Sequence, residues 1–544
     1  MHGGGFAKIR PHLRITQNMK KILYFLTMAL ALIVVSSCSE DDVVYNTAPR
    51  AAFTMSEAPE GYEINKAITF TDASTPEANT NIVSWLWSFG DEANTTSTEQ
   101  SPTFTYTKEG VYNVTLTVTD NHNLKATLTQ SITVLDPLAA ISVQWAANLS
   151  GSVTGGSSPA VSADGKAVYM LTGGNAAEPG RLTAFNIASG GTSWVLDIDA
   201  AMVSNHPTGS AAAGCKDIYS NPSVGADGNV YFIARDLKDA GANRRLFVFA
   251  AKPNGSVNWT YAGPDANLYA ITPAVDAQGN VYTAQRKGKI WKINNGECTE
   301  YASGLGDITG GLSVSKTGQL YGAGKGNTGY FGFDIAAGAG AWVYNAEFGA
   351  APTAFTGALR SSTPSIGADG TLYAVADKAT GGMVMALNAD GSLKWKYDTN
   401  TSIADGGVAI AADGTVYANL GIATEDTPSG VVALNADGSV KWTYAVEASV
   451  QTTPMIDNRG YIHFIDAQAT YYILKADGTL FSSLSLGEAC KSTPVMDAEG
   501  NTFVVVTKDG ALQMLCVRTR AASYATDAVW AMRGQNPQRT GLQK

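Results

Sequence analysis

The stretch TPSIGADGTLY at residues 363–373 places two short apolar runs on either side of Asp369-Gly370. Two such runs joined by an Asp-Gly-type turn read as a β-hairpin. The same text returns as SPAVSADGKAVY (158–169), NPSVGADGNVY (221–231), TPAVDAQGNVY (272–282), GLSVSKTGQLY (311–321), GVAIAADGTVY (407–417), TPMIDNRGYIH (453–463) and TPVMDAEGNTF (493–503), which makes eight copies. Their turn glycines, at 165, 228, 279, 318, 370, 414, 460 and 500, lie 39 to 63 residues apart. A second hairpin follows within the unit: ALNADGSLKW (386–395) is nearly identical to ALNADGSVKW (433–442), and AFNIASGGTSW (184–194) is a longer form. Four strands per unit, repeated at this period, predict an eight-bladed β-propeller over residues 141–544. QWAANL (144–149) has no hairpin partner of its own. It is expected to pair with the last blade and close the ring, which removes an exposed sheet edge.

These units resemble the PQQ-type repeat, in which an Ala-x-Asp-x-x-Thr-Gly-x-x-x-Trp pattern recurs. Ala184 to Trp194 matches it with Asn for Asp and Ser for Thr, and WAMRGQNPQRTG (530–541) resembles the tail of such propellers. The resemblance implies that Trp194, Trp259, Trp342, Trp395 and Trp442 dock between blades and are structural. It does not imply the quinone. Members that use the cofactor resemble one another in a vicinal cysteine pair, a calcium site and a catalytic Asp. Here Cys38, Cys215, Cys298, Cys490 and Cys516 are scattered, and no Cys-Cys pair exists. Asp164, Asp227, Asp369, Asp390, Asp413 and Asp437 read as turn residues, whose side chains bond the local backbone. PQQ, a metal and redox catalysis are therefore not expected. Neither GxSxG nor HExxH occurs, so no hydrolase motif points to catalysis either.

Ahead of the repeats, residues 50–137 alternate as short strands. WLWSFGD (85–91), SPTF (101–104) and GVYNVTLTVTD (110–120) resemble a PKD domain, an Ig-like β-sandwich. Trp85, Trp87 and Phe89 are spaced by two and so share one strand face, which reads as core. Tyr112, Val114, Leu116 and Val118 are expected to complete that core from a facing strand. PKD-type domains commonly serve as extracellular spacers or contact modules.

The N-terminus reads as an address. Lys20 and Lys21 precede Ile22 to Val35, a nearly wholly apolar run of 14 residues. That is short of the ~20 residues a membrane helix needs, but it suits a signal peptide. Val35-Ser36-Ser37-Cys38 resembles a lipobox, which implies a covalent lipid on Cys38. Residues 1–37 are thus read as N-terminal extension and signal peptide, and 38–49 as a tether. Removing 1–37 removes five basic residues and no acidic one, taking the net charge from −10 to −15. An acidic chain is repelled by anionic lipid, so the lipid and not a basic patch must hold it at the membrane. Glu40-Asp41-Asp42 after Cys38 resembles the signal that exports lipoproteins to the outer face of the outer membrane. Nucleic acid is not expected as a partner, because binding it needs a basic face and no Lys-rich or Arg-rich block stands out.

Fold does not supply function, so the site is argued separately. The loops that lead into each innermost strand converge on one mouth of a propeller. Here they lie just ahead of each repeat copy and differ where the strands agree. They offer Tyr219, Tyr269, Asp307, Arg360, Asp405, Gln451 and Lys491 as candidate ligand-binding residues. Aromatic faces with hydrogen-bonding groups suit a glycan. The insertion 201–220 and the segment 347–361 are candidate lids. The expected protein is a lipid-anchored, surface-exposed outer-membrane protein with a non-catalytic propeller for extracellular glycan. The alternative is a protein-interaction scaffold, similar to the periplasmic propeller lipoprotein of outer-membrane protein assembly. A quinoprotein oxidoreductase is the third reading.

Overall fold

The computed structural model describes residues 47–543 apart from 57–61, 136–140, 154–156, 175–177, 206–219, 236–244, 264–271, 286–287, 325–328, 346–362, 379–380, 400 and 404–405. Its described elements are strands, joined by one helix, Ile198–Ser204, which Asp197 caps by accepting the Ala200 N–H.

The first unit is a sandwich of two sheets. One holds Phe53–Met55, Ala67–Asp72 and Thr103–Thr105; the other runs Tyr62–Glu63, Lys125–Leu135, Gly110–Asp120, Ile82–Ser88, Thr96–Ser97. Trp87 and Phe89 are buried between them with Phe53 and Phe70, as the spacing predicted. Trp85 is half-buried and donates its indole N–H to Asp72 at 2.7 Å. One expectation is corrected. The Tyr112–Val118 strand does not face the tryptophan strand; it is its neighbour in the same sheet, with Trp87 opposite Leu116. Alternation tells which face a side chain takes but not which strand stands beside it. The facing layer is supplied by Phe53, Ile68, Phe70 and Phe104.

The remainder is eight antiparallel sheets in chain order, an eight-bladed propeller. Blade 1, for example, is Ala160–Val161, Ala167–Thr172, Arg181–Asn186 and Thr192–Asp197. Blade 8 is closed from the other end of the repeat region. Its outermost strand is Ser142–Asn148, paired with Ala511–Arg518 so that Trp145 stands opposite Cys516. The expected closure by residues 144–149 therefore holds.

Within a blade the innermost strand runs from an upper face, where the variable loops lie, to a lower face, where the Asp-Gly turns lie. At those turns the aspartates bond the backbone as expected: Asp369 accepts the Thr371 N–H at 3.0 Å and Asp413 the Thr415 N–H at 2.9 Å. The tryptophans join the blades. The Trp395 N–H donates to Ala436 O at 2.9 Å, and a Cβ added at Gly438 would lie 2.7 Å from the Trp395 ring. Gly438 also has φ +86°, so glycine is required there on both counts. Trp194, Trp342 and Trp442 make the same contact with Pro253, Ala389 and Ala476. Trp145 repeats it from the closing strand, on Ile187 O. Each of these repeat tryptophans also packs on the tyrosine of its own blade, and Trp259 does so on Tyr231, 5.8 Å between ring centroids.

Side chains around the repeated proline make an inner belt. Thr493 N donates to Ser158 Oγ, Ser158 N to Asn221 Oδ1, and Asn221 Nδ2 to Thr272 Oγ1, linking blades 8, 1, 2 and 3. The C-terminal tail then crosses the lower mouth. Its carbonyls at Trp530, Ala531, Pro537, Gln538, Thr540 and Gly541 accept from innermost strands of blades 6, 7, 1, 2, 3 and 4. Gln543 bonds Gly367 O in blade 5, and Arg539 bonds Pro494 O in blade 8. The tail thus touches all eight blades.

Candidate functional site

The innermost strands of blades 7 and 8, Met455–Ile456 and Val495–Met496, are apolar and buried against their neighbours. Polar chemistry is therefore pushed to the loops at the strand ends. At the upper face a cavity of about 210 Å³ opens between blades 7 and 8. Gln451 and Thr452 reach it from the loop ahead of Met455–Ile456, and Cys490 to Thr493 from the loop ahead of Val495–Met496. Asp466 comes from the upper turn of blade 7, and Arg533 rises from the tail.

The groups differ in how fully they are engaged. Asp466 is turned on its own loop: Oδ1 accepts the Gln468 and Thr470 N–H groups at 3.0 and 2.9 Å, and Oδ2 the Tyr472 hydroxyl at 3.1 Å. Ser492 Oγ accepts the Val505 N–H at 2.8 Å, which leaves its own O–H to donate. The Cys490 thiol donates to Ser492 O at 3.1 Å. Burial pushes the Cys490 pKa up to about 12, so the thiolate that would make a nucleophile is absent at neutral pH. Lys491 is exposed at the lip, while Arg533 is only 4% exposed.

Behind Arg533 lies Arg539, which is 1% exposed. Its guanidinium donates to the carbonyls of Pro159, Arg533, Thr493 and Pro494. Burial, and then the charge of Arg533, press its pKa well below the usual arginine value. Arg539 fills the hub between the inner ends of blades 8, 1 and 2, where Ser223 Oγ also donates to its carbonyl. The residues present do not fit a quinone there: a cationic plug bound to backbone carbonyls takes the place, and the cavity beside it holds a single half-buried thiol, Cys490. No group of three or more His, Cys, Asp or Glu able to hold a metal occurs among the described residues.

Of the seven candidate residues, Gln451 and Lys491 are brought together in this cavity. Asp307 stands half-buried at the loop into blade 4, away from it. Tyr219, Tyr269, Arg360 and Asp405 lie outside the described residues, as do Cys38, residues 206–219 of the first candidate lid and the whole of the second. Sequence reasoning missed Arg533, Asp466 and Cys490. A signal for Arg533 was present: from Ala528 to Lys544 the tail carries Arg533 and Arg539 but no acidic residue.

Comparison with known proteins follows this division. A PKD-domain family model matches residues 46–134. The family model described as outer membrane protein assembly factor BamB matches residues 242–513, half of the chain. A microbial collagenase of Vibrio alginolyticus is 38% identical over 95 residues, 18% of this chain and 11% of the collagenase. The pre-pro-metalloprotease PrtV of Vibrio cholerae is 44% identical over 94 residues, 17% of this chain and 9% of that protein. The chain thus spans only about a tenth of the length of these relatives. Among solved structures, BamB from Moraxella catarrhalis is 14% identical with a TM-score of 0.46, covering 69% of this chain and 99% of its own.

Proposed function

Because the chain belongs to the propeller family described as outer membrane protein assembly factor BamB, and carries a PKD domain ahead of its propeller, we propose that it is a non-catalytic binding protein of the bacterial envelope. In this reading Cys38 is lipidated, the acidic cluster after it directs the chain to the cell surface, and the upper face of the propeller takes an extracellular glycan. No cofactor is needed.

The observation that carries the reading is the cavity itself. It gathers hydrogen-bonding side chains from two blades at the face where the loops vary. A second observation supports its direction. Lys475, in a lower turn of blade 7, pairs with Glu63 of the PKD domain at 2.9 Å, and Arg520, below blade 8, pairs with Glu109. The PKD domain therefore rests against the lower face, and the cavity opens on the opposite one. A lipid at Cys38, ahead of the PKD domain, would hold the lower side toward the membrane and leave the cavity outward.

A protein-interaction scaffold is the second reading, favoured by the assembly-factor description of the family. The two separate in one experiment. The full chain in detergent is screened on a glycan array, and intact cells are treated with protease. A glycan hit with the native protein cleaved supports the surface binding module. No hit, with the protein fully protected, supports the scaffold on the periplasmic side.

A further inference from the structure

Resting on the glycan-binding reading above, we infer that the protein carries a second saccharide site on its lower face. It lies in the cavity between blades 4 and 5 and takes a neutral sugar unit, hydrogen-bonded by Tyr321 and Asp390. The cavity measures about 580 Å³, against about 210 Å³ for the one between blades 7 and 8. That falls within the roughly 300–1,000 Å³ of small-molecule sites. Blade 4 (Ser313–Val314, Gln319–Ala323, Tyr330–Asp334 and Ala339–Tyr344) gives one wall through Tyr321 and Trp342. Blade 5 gives the other through Asp369 of its first turn and Asp390 of its second, and Gln543 of the tail reaches it from the hub. The PKD domain rests elsewhere round the ring, against blades 7 and 8.

Tyr321 is the observation that carries the site. The repeat brings the hydroxyl of this tyrosine to the lower turn of its own blade, where in blades 2 and 3 it donates to Asp227 and Asp276. In blade 4 the positions that align with those two acids hold Thr317 and Ser315, which bond to each other at 2.9 Å. Tyr321 thus lines the cavity at 3% exposure, and its hydroxyl has no hydrogen-bond partner among the described residues. Burial raises its pKa, so it stays a neutral phenol that can both donate and accept. Buried polar groups are as a rule hydrogen-bonded, and an exception at the wall of a cavity points to a ligand that supplies the bond.

The rest of the lining selects the class of ligand. Asp369 is paired with Lys394 at 3.1 Å. Asp390 accepts the Ser392 N–H and hydroxyl on Oδ1, which leaves Oδ2 to accept from a ligand. Lys316 stands exposed at the lip as the second ammonium group. Two carboxylates and two ammonium groups balance, so neither an anion nor a cation is favoured. A sugar fits such a set: one hydroxyl donates to Asp390, another accepts from Lys316, and a third meets Tyr321 in either sense. Trp342 is covered by Gly332 and Gly391, so it offers the edge of its ring as an apolar wall rather than an open face. Apart from Trp342 the apolar lining is alanine, at 341, 368 and 389, which gives an apolar peptide side chain little to bury against.

The test places the full chain in detergent on an array of neutral gluco-, manno- and galacto-oligosaccharides, with calorimetric titration of those retained. Tyr321→Phe removes a hydroxyl that holds nothing in the protein. Its thermal midpoint should match wild type while affinity falls about fivefold, the worth of one hydrogen bond. Thr317→Asp places the acid of blade 2 beside Tyr321 and gives the phenol an internal partner; it should weaken binding at least as much. Added salt should change the affinity little, because no net charge meets the ligand. Unchanged affinity in Tyr321→Phe, or a lowered midpoint that reveals an internal partner for the hydroxyl, overturns this site and leaves the glycan reading standing. Retention of charged sugars alone does the same. Retention of no glycan of any kind overturns both.

Discussion

Trp395 covers Gly438 of the next blade and spends its indole N–H on Ala436 O. The two contacts separate by substitution. Trp395→Ala empties the site and should lower stability by roughly 3–5 kcal/mol, read as a shifted urea midpoint at unchanged slope. Trp395→Phe keeps much of the packing and loses the hydrogen bond, at a cost of about 1 kcal/mol for the bond. An unchanged midpoint in Trp395→Ala would show that the tryptophan does not hold the blades. A second residue gives a pH signature. Tyr231 and Tyr282 donate to the turn carboxylates Asp227 and Asp276, and in blade 7 His463 stands in the tyrosine's place. Its Nε2 lies 3.0 Å from Asp457 Oδ2 and its Nδ1 3.1 Å from the Tyr471 hydroxyl. Burial lowers its pKa, and Asp457 opposes that shift only in part. The folded chain thus takes up this proton less readily than the unfolded chain, whose histidine titrates near pH ~6.5. The contribution of His463 is complete above that pH and is lost as pH falls through it. Between pH 7.5 and 5.5 the wild type should lose more stability than His463→Tyr, which restores the residue of the repeat; parallel losses would remove His463 as the cause.

The C-terminal tail is the element that makes eight blades one object. Each blade is a sheet of four or five strands with its own turns, and the tail bonds to every one of them. Deleting residues 530–544 should broaden the thermal transition and speed amide exchange in the innermost strands, with far less effect on the outermost ones. Arg539→Met should be the severest point change, on the order of 1–3 kcal/mol for each buried carbonyl left without a donor. Uniform exchange in the truncated chain would mean that the tail follows the ring rather than fastening it. The contrast with the blades explains what was legible beforehand. Blade number, turn aspartates, tryptophan docking and ring closure all rest on short-range chemistry repeated at a period, and each could be read from residues such as 386–395. Gln451 and Lys491 were legible because a loop ahead of each innermost strand must lie at one mouth. The tail was not, since Arg539 meets a carbonyl 380 residues away and no local pattern encodes that meeting. The PKD strand order failed for the same reason, as Trp87 and Leu116 are coded by alternation but their adjacency is not.

Taken whole, the molecule has a polarity. Its lower face carries the tail and the PKD contacts, and its upper face carries the variable loops and the cavity between blades 7 and 8. The two interdomain ion pairs are partly exposed, with side chains 23% and 12% exposed at Lys475 and Glu63, and 25% and 48% at Arg520 and Glu109. Pairs of this kind contribute about 0–1 kcal/mol each, so they set the attitude of the two domains more than their stability. In the surface-binding reading proposed above the upper face meets its ligand outside the cell, and that depends on the far N-terminus. Glu40, Asp41 and Asp42 follow Cys38 after one residue, Ser39. The variant Glu40→Gln, Asp41→Asn, Asp42→Asn leaves the lipobox and both domains untouched. It should remain lipidated, fractionate with the outer membrane, and disappear from the surface when intact cells are labelled with a membrane-impermeant reagent. Labelling equal to wild type would sink the export role of the acidic cluster. It would move the choice between glycan binder and assembly scaffold back onto the cavity, where the glycan array decides it without reference to location.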